Sequence, residues 1–230
     1  MFENFREQFI LNFIDDNRWQ YLTNGLLLTL KISIFSIIIG IILGFIIAVI
    51  KYSHDNNGNC KILNFICDIY LTIIRGTPVV VQLLIIYFVI FGSTRIDKSF
   101  VAIIAFGINS GAYQAEIFRS GLNSIPRGQY EAGRSLGFSS NQTMVKIIMP
   151  QAVKNVIPAL CNEFISLIKE TSVSGYIALE DLTKGGDIIR SRTYSAFMPL
   201  IAVALTYLVL VMILTQIVKH LERNLRKNER

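Results

Sequence analysis

Residues 26–50 form an apolar run with a single charge, Lys31. As a helix rising about 1.5 Å per residue, this run is roughly 38 Å long, enough to cross a hydrocarbon layer of about 30 Å with some tilt. Composition points the same way. The chain is 52% hydrophobic and 17% charged, against about 25% charge in soluble domains. The run is too long for a cleaved signal, no Ala-x-Ala site follows it, and Glu3, Glu7, Asp15 and Asp16 precede it. The expected fold is therefore all-α and polytopic, one transmembrane domain over residues 1–230.

Five spans are expected, at about 22–50, 62–91, 100–122, 153–168 and 196–218. The second is interrupted by Arg75-Gly76-Thr77-Pro78, because Pro78 removes a backbone donor and Gly76 loosens the helix. Such a break at membrane depth is tolerated only where protein or a water-filled cavity covers it. Gly40 and Gly44 form a G-x-x-x-G pair that permits close helix approach. Lys31 is expected to snorkel near the outer interface. Lys and Arg concentrate in the first loop, after the third span and in the C-terminal tail. With five spans these lie on one side, so the positive-inside bias puts the N-terminus outside and the C-terminus in the cytoplasm.

That bias also accounts for the net charge of +6. No basic face with interleaved aromatics supports nucleic-acid binding. Cys60, Cys67 and Cys161 lack the paired spacing of a zinc site and read as small apolar fillers. No metal site is expected. No G-x-x-x-x-G-K-[ST] sequence occurs, so the chain has no recognisable cradle for nucleotide phosphates.

The segment 126–150 holds more layout than a connecting loop needs. Pro126 turns the chain, and a short helix fits Gln129 to Leu136. Glu131 is expected in its first turn, where a negative charge suits the helix dipole. Ala132 and Gly133 are small enough to let a partner surface approach the backbone. Gly137 closes the helix as a C-terminal glycine does. Ser139 with Gln142 makes a capping box for a second helix, on which Met144, Ile147 and Ile148 form an apolar stripe. Pro150 is expected to stop that helix before the fourth span. Pattern alone fits a docking element and an interfacial amphipathic pair equally well.

The segment resembles the EAA loop of permease subunits of bacterial ABC importers, E-A-A-x3-G-x9-I-x-L-P. Glu131, Ala132, Gly137, Ile147 and Pro150 match, with Gly133 standing for Ala and Met149 for Leu. Arg75-Gly76-Thr77-Pro78 with Gln82-Leu83, Gly111-Ala112-Tyr113 with Ala115-Glu116 and Arg119, Ile125 to Gln129, and Asn162-Glu163-Phe164 with Lys169 to Ser172 are similar to the polar amino acid uptake branch. The resemblance implies the type I importer fold, a polar amino acid as cargo and a bacterial cytoplasmic membrane. It implies a second permease subunit, identical or homologous. A cytoplasmic ATPase dimer would bind ATP and Mg, none of it held by this chain. An extracytoplasmic solute-binding protein would deliver the cargo. The Glu131 helix would dock on the ATPase.

Intramembrane polar residues usually face a cavity or bundle interior. Asn109, Tyr113, Glu116 and Ser120 share a face of the third span. They line a solute path, or else Glu116 simply pairs with Arg119 or Arg75 near the membrane edge. Glu163, with Asn162 and Ser166, lies near mid-membrane in the fourth span, serving the path or a helix–helix hydrogen bond. Thr77 either offers backbone groups to the path or marks a kink. Glu180, Asp181 and Asp187 read as solvated charges rather than contacts to a binding protein. The alternative to ATP-driven import is an ATP-independent secondary transporter or channel, which inverted repeats would support; none is convincing. An intramembrane enzyme is disfavoured, because His54 and His220 lie outside the span interiors.

Overall fold

The structure, a computed structural model, describes residues 2–58 and 60–227. Among these there are helices and turns but no strand. An N-terminal helix α1 (Phe2–Phe9) leads into α2 (Trp19–Asn57), then α3 (Lys61–Gly76) and α4 (Val79–Leu84), the last continued by a π-type segment to Ile90. Next come α5 (Lys98–Asn123), α6 (Arg127–Ser135), α7 (Ser140–Thr143), α8 (Met149–Glu170), α9 (Leu182–Thr193) and α10 (Phe197–Lys227). Four helices are long and apolar enough to cross a membrane; α3 and α4, bent by 110°, make a fifth crossing if counted as one.

Packing favours that count. Ser36 on α2 donates to the Ile103 carbonyl on α5, and Gly44 lies against Ala115. Contacts advance together along both helices, so α2 and α5 run parallel. The chain must return between them. It does so through α3 and α4: Lys51 meets Asp68, Gln82 meets Asn109, and Leu83 and Ile86 pack with Val101, Ala102 and Phe106. α8 runs back antiparallel to α5, with Val156 against Gly121 and Glu163 against Ser110.

The G-x-x-x-G pair is spent inside the chain. A Cβ added at Gly44 would come within 2.8 Å of the Ala115 nitrogen. α10 instead leaves Leu205, Leu208, Met212 and Ile217 more than half exposed, as a lipid-facing or partner-facing helix does. Cys67 is buried beside Ile47 and Ala115, whereas Cys60 is exposed and fills no core space.

One expected boundary is corrected. Pro150 does not stop a helix: residues 140–177 form one continuous helical stretch. A π-type turn over Met144–Ile148 precedes Pro150, which sits in the first turn of α8. Widening the helix there accommodates the ring and the missing N–H, which would otherwise break it.

Candidate functional site

The break between α3 and α4 is held from within. Thr77 is extended and Pro78 starts α4. The Gln82 side-chain amide donates to the Ile74 carbonyl (2.8 Å), the Thr77 carbonyl (3.0 Å) and the Thr77 hydroxyl oxygen (2.8 Å). Thr77 in turn donates to the Ile73 carbonyl at 2.8 Å. Asn109 donates to the Gln82 amide oxygen at 2.9 Å, and both residues are buried. The carbonyls freed at the break therefore have partners within the chain. Gln82 was not among the expected site residues. A lone amide in the otherwise apolar Val79–Leu84 helix was the available signal.

The expected polar face of α5 divides. Asn109 belongs to the break. Tyr113, Glu116 and Ser120 line a cavity of about 390 Å³, together with Arg75, Ser124, Asn155 and Glu163. Glu116 accepts from Arg119 at 2.6 and 3.3 Å, and Arg75 approaches it to 3.8 Å. The Arg75 guanidinium also lies 6.0 Å from the Tyr113 ring centre. Both expected partners of Glu116 are thus present, at the cavity's edge.

On α8 only Glu163 of the expected trio lines the cavity. Asn162 is exposed and Ser166 half-buried, and neither lines it. Glu163 accepts from Ser110 at 3.1 Å, and Ser110 accepts from Gln114 at 2.8 Å. Ser110 and Gln114 escaped the sequence reading, which followed the neighbouring face of α5. Two polar residues four apart in a span were the signal. The carboxylate has one anchored oxygen and faces a partly polar space, an arrangement able to hold a cationic group.

At the other end of α8, α6 turns into α7 through Gly137, whose φ of +87° favours glycine. The expected capping box is present: Ser139 accepts from the Gln142 nitrogen at 3.2 Å and its own N–H donates to the Gln142 side chain at 2.9 Å. Two expectations change. α6 starts at Arg127, so Glu131 lies in its second turn and the dipole argument lapses. Gly133 is buried, and a Cβ there would come 2.6 Å from the Thr143 methyl and 2.8 Å from Ile147. Its small size serves the contact between α6 and α7, not an approaching partner. Glu131, Ala132, Gly137 and Pro150 are exposed, while Ile147 is half-buried. Leu136 and Val145, 76% and 65% exposed, add an apolar surface that the motif did not single out.

Among the acids before α10, Asp181 is not solvated. It is fully buried and caps α9, accepting from the nitrogens of Lys184 (3.1 Å) and Thr183 (3.3 Å). Burial pushes its carboxyl up to about 6, although these hydrogen bonds oppose the shift. Asp187 is held below the usual range by hydrogen bonds from Lys184 and Arg190.

A helical bundle with a broken second crossing, a cavity bordered by Glu116 and Glu163 between α5 and α8 and a bent arm on the end of α8 defines a membrane component of a transport system. The chain belongs to the family of binding-protein-dependent transport system inner membrane components, whose model matches residues 36–227. It is 40% identical over 211 residues to the arginine transport system permease protein ArtQ of Bacillus subtilis, covering 91% of this chain and 94% of that protein. It is 38% identical over 210 residues to the putative glutamine transport system permease protein GlnP of Rickettsia typhi, covering 90% and 94%. A crystal structure of an amino acid ABC transporter with histidines aligns at TM-score 0.84 and 38% identity, over 92% of this chain and 98% of that one. The inward-facing MetNI methionine ABC transporter aligns at TM-score 0.76 and 22% identity over 90% and 97%, a likeness of fold. The chain is a permease subunit of an ABC importer and not an enzyme. These likenesses favour ATP-driven import over the ATP-independent alternative.

Proposed function

We propose that this permease imports a polar amino acid across a bacterial cytoplasmic membrane. It works with a second permease, a cytoplasmic ATPase dimer that holds ATP and Mg, and an external binding protein. The N-terminus lies outside and the C-terminus inside, which sets α6 and α7 in the cytoplasm. The names of the relatives, among them arginine and glutamine transport permeases, support the cargo class.

One observation carries the reading. The stretch 140–177 joins the bent arm to Glu163 as one helix. The 23 residue steps from Ser140 to Glu163 span roughly 35 Å at about 1.5 Å each. ATPase closure acts on Glu131, Ala132, Gly137 and the exposed Leu136, with Gly133 and Ile147 keeping the elbow stiff. The push passes Pro150 into α8 and moves the wall that holds Glu163. Glu163 takes the cargo's ammonium while Tyr113, Glu116 and Ser120 border the route. Thr77 and Asn109 fix the break beside it. Asn162 and Ser166 lie outside the cavity lining and are given no contact with the cargo.

Leu136→Asp tests the docking surface without touching the bundle, since Leu136 is 76% exposed. The ATPase should no longer co-purify with the permease, and ATP-dependent uptake of L-arginine or L-glutamine into proteoliposomes should fall. Full ATPase retention and normal uptake after deletion of residues 131–137 would refute the reading.

A further inference from the structure

A second cavity, about 520 Å³, opens between α2, α3 and α5. Lys51, Asp68, Thr72, Arg75, Glu116 and Arg119 line it, and it shares Arg75 and Glu116 with the Glu163 cavity. Its charges do not cancel locally. Lys51 pairs with Asp68 at 2.5 Å, and Arg119 pairs with Glu116 at 2.6 Å. Arg75 is the third cation. Its closest carboxylate oxygen, on Glu116, is 3.8 Å away, beyond hydrogen-bond range, and its side chain is 45% exposed. Each lining carboxylate already holds a nearer cation. Asp55, further along α2, is exposed and does not line the cavity.

Lys51 is the first charge after Lys31 on α2, so the cavity sits where the bundle leaves the hydrocarbon layer and meets headgroups. Leu71 forms its apolar wall, and Phe65, two turns before Thr72 on the same face of α3, is 65% exposed. A charged recess with greasy flanks fits an amphipathic anion better than a small soluble one, which would use only the recess. Basic pockets between membrane helices hold lipid headgroups in this way. The two carboxylates repel a dianion and leave room for one negative charge. Arg75 offers a fork of N–H donors that matches phosphate oxygens, with the Thr72 hydroxyl beside it.

We propose that this cavity binds the singly charged phosphodiester headgroup of an anionic phospholipid, with Arg75 as its main contact. The test uses the assembled transporter in nanodiscs of phosphatidylglycerol and phosphatidylcholine, followed by native mass spectrometry of retained lipid. The unaltered protein should hold phosphatidylglycerol in preference to phosphatidylcholine. Arg75→Gln should lower that preference about fivefold, as expected for one cation near a headgroup. Glu116→Gln, which removes a competing negative charge, should raise it, so a misfolded Arg75 variant would not leave the question open. Lys98→Gln, at the opposite end of α5, should leave it unchanged. Equal retention of both lipids, no response to either Arg75→Gln or Glu116→Gln, or an equal loss in Lys98→Gln would overturn the proposal. So would release of the lipid by millimolar inorganic phosphate, which would give the cavity to a soluble anion.

Discussion

Gly133 shows how one missing methyl group shapes the arm. The Thr143 methyl occupies the space that a Cβ at 133 would need. Gly133→Ala should therefore strain the contact between α6 and α7, costing about 1–3 kcal/mol as overpacking does. Thr143→Ala in the same chain should recover most of that, and a thermal-melt double-mutant cycle measures the coupling. Additive losses would mean the two residues do not compete for one space. Asp181 makes a second case. Its carboxyl is raised from 3.8 to about 6, so the folded protein holds the proton more tightly than the unfolded chain. The stability linked to it is fully present below pH 3.8 and lost as pH rises through 6. Asp181→Asn keeps a capping oxygen and removes the charge. The melting temperature of the unaltered protein should fall from pH 5 to pH 8 by more than that of the variant. Parallel curves would show that the burial carries no such penalty. Neither effect was legible in the sequence, because each depends on what the fold brings against the residue. The Ser139–Gln142 capping box and the Gly137 turn were legible, because both are local and complete within four residues.

At the scale of elements, the break between α3 and α4 is a fixed joint. Pro78 and Gly76 announced an interruption from the sequence alone, but not the 110° bend. What closes the joint comes from elsewhere: Gln82 reaches back five to eight residues and Asn109 reaches from α5. A reading of one helix at a time sees Asn109 as path-lining, and only the fold assigns it to Gln82. If donation to the freed carbonyls is what matters, shape alone will not replace it. Gln82→Glu keeps the shape but sets an acceptor against acceptors. It should destabilise the protein more than Gln82→Ala, which itself leaves the part-buried Ile74 and Thr77 carbonyls without this donor, at up to about 1–3 kcal/mol. Melting of the two purified variants decides this. A milder effect of Glu than of Ala would mean that the residue acts by filling space.

Across the whole molecule, the same physics that hid the Pro150 continuity explains why the arm and the cavity belong to one moving part. A proline before a span reads as a stop, yet the π-type turn ahead of it keeps residues 140–177 in one helix. Helix interiors resist bending, and across the Gly137 corner Tyr130 meets Ser140 at 2.8 Å while Thr143 and Ile147 pack against Gly133. On the proposed mechanism the rod between the corner and the cavity must be rigid. Two glycines inserted between Ile148 and Met149 would loosen the rod and leave the docking surface and the Glu163 cavity each intact. The assembled transporter should still hydrolyse ATP and still bind its ATPase. Uptake of L-arginine or L-glutamine per ATP should fall roughly tenfold or more, the scale of a lost coupling energy between two sites. The same insertion after Ser124, in the turn between α5 and α6, should be far milder, because that turn already separates two helices. Equal losses from the two insertions would mean that force reaches the cavity by way of α5, and α8 would then be a wall of the path but not its lever.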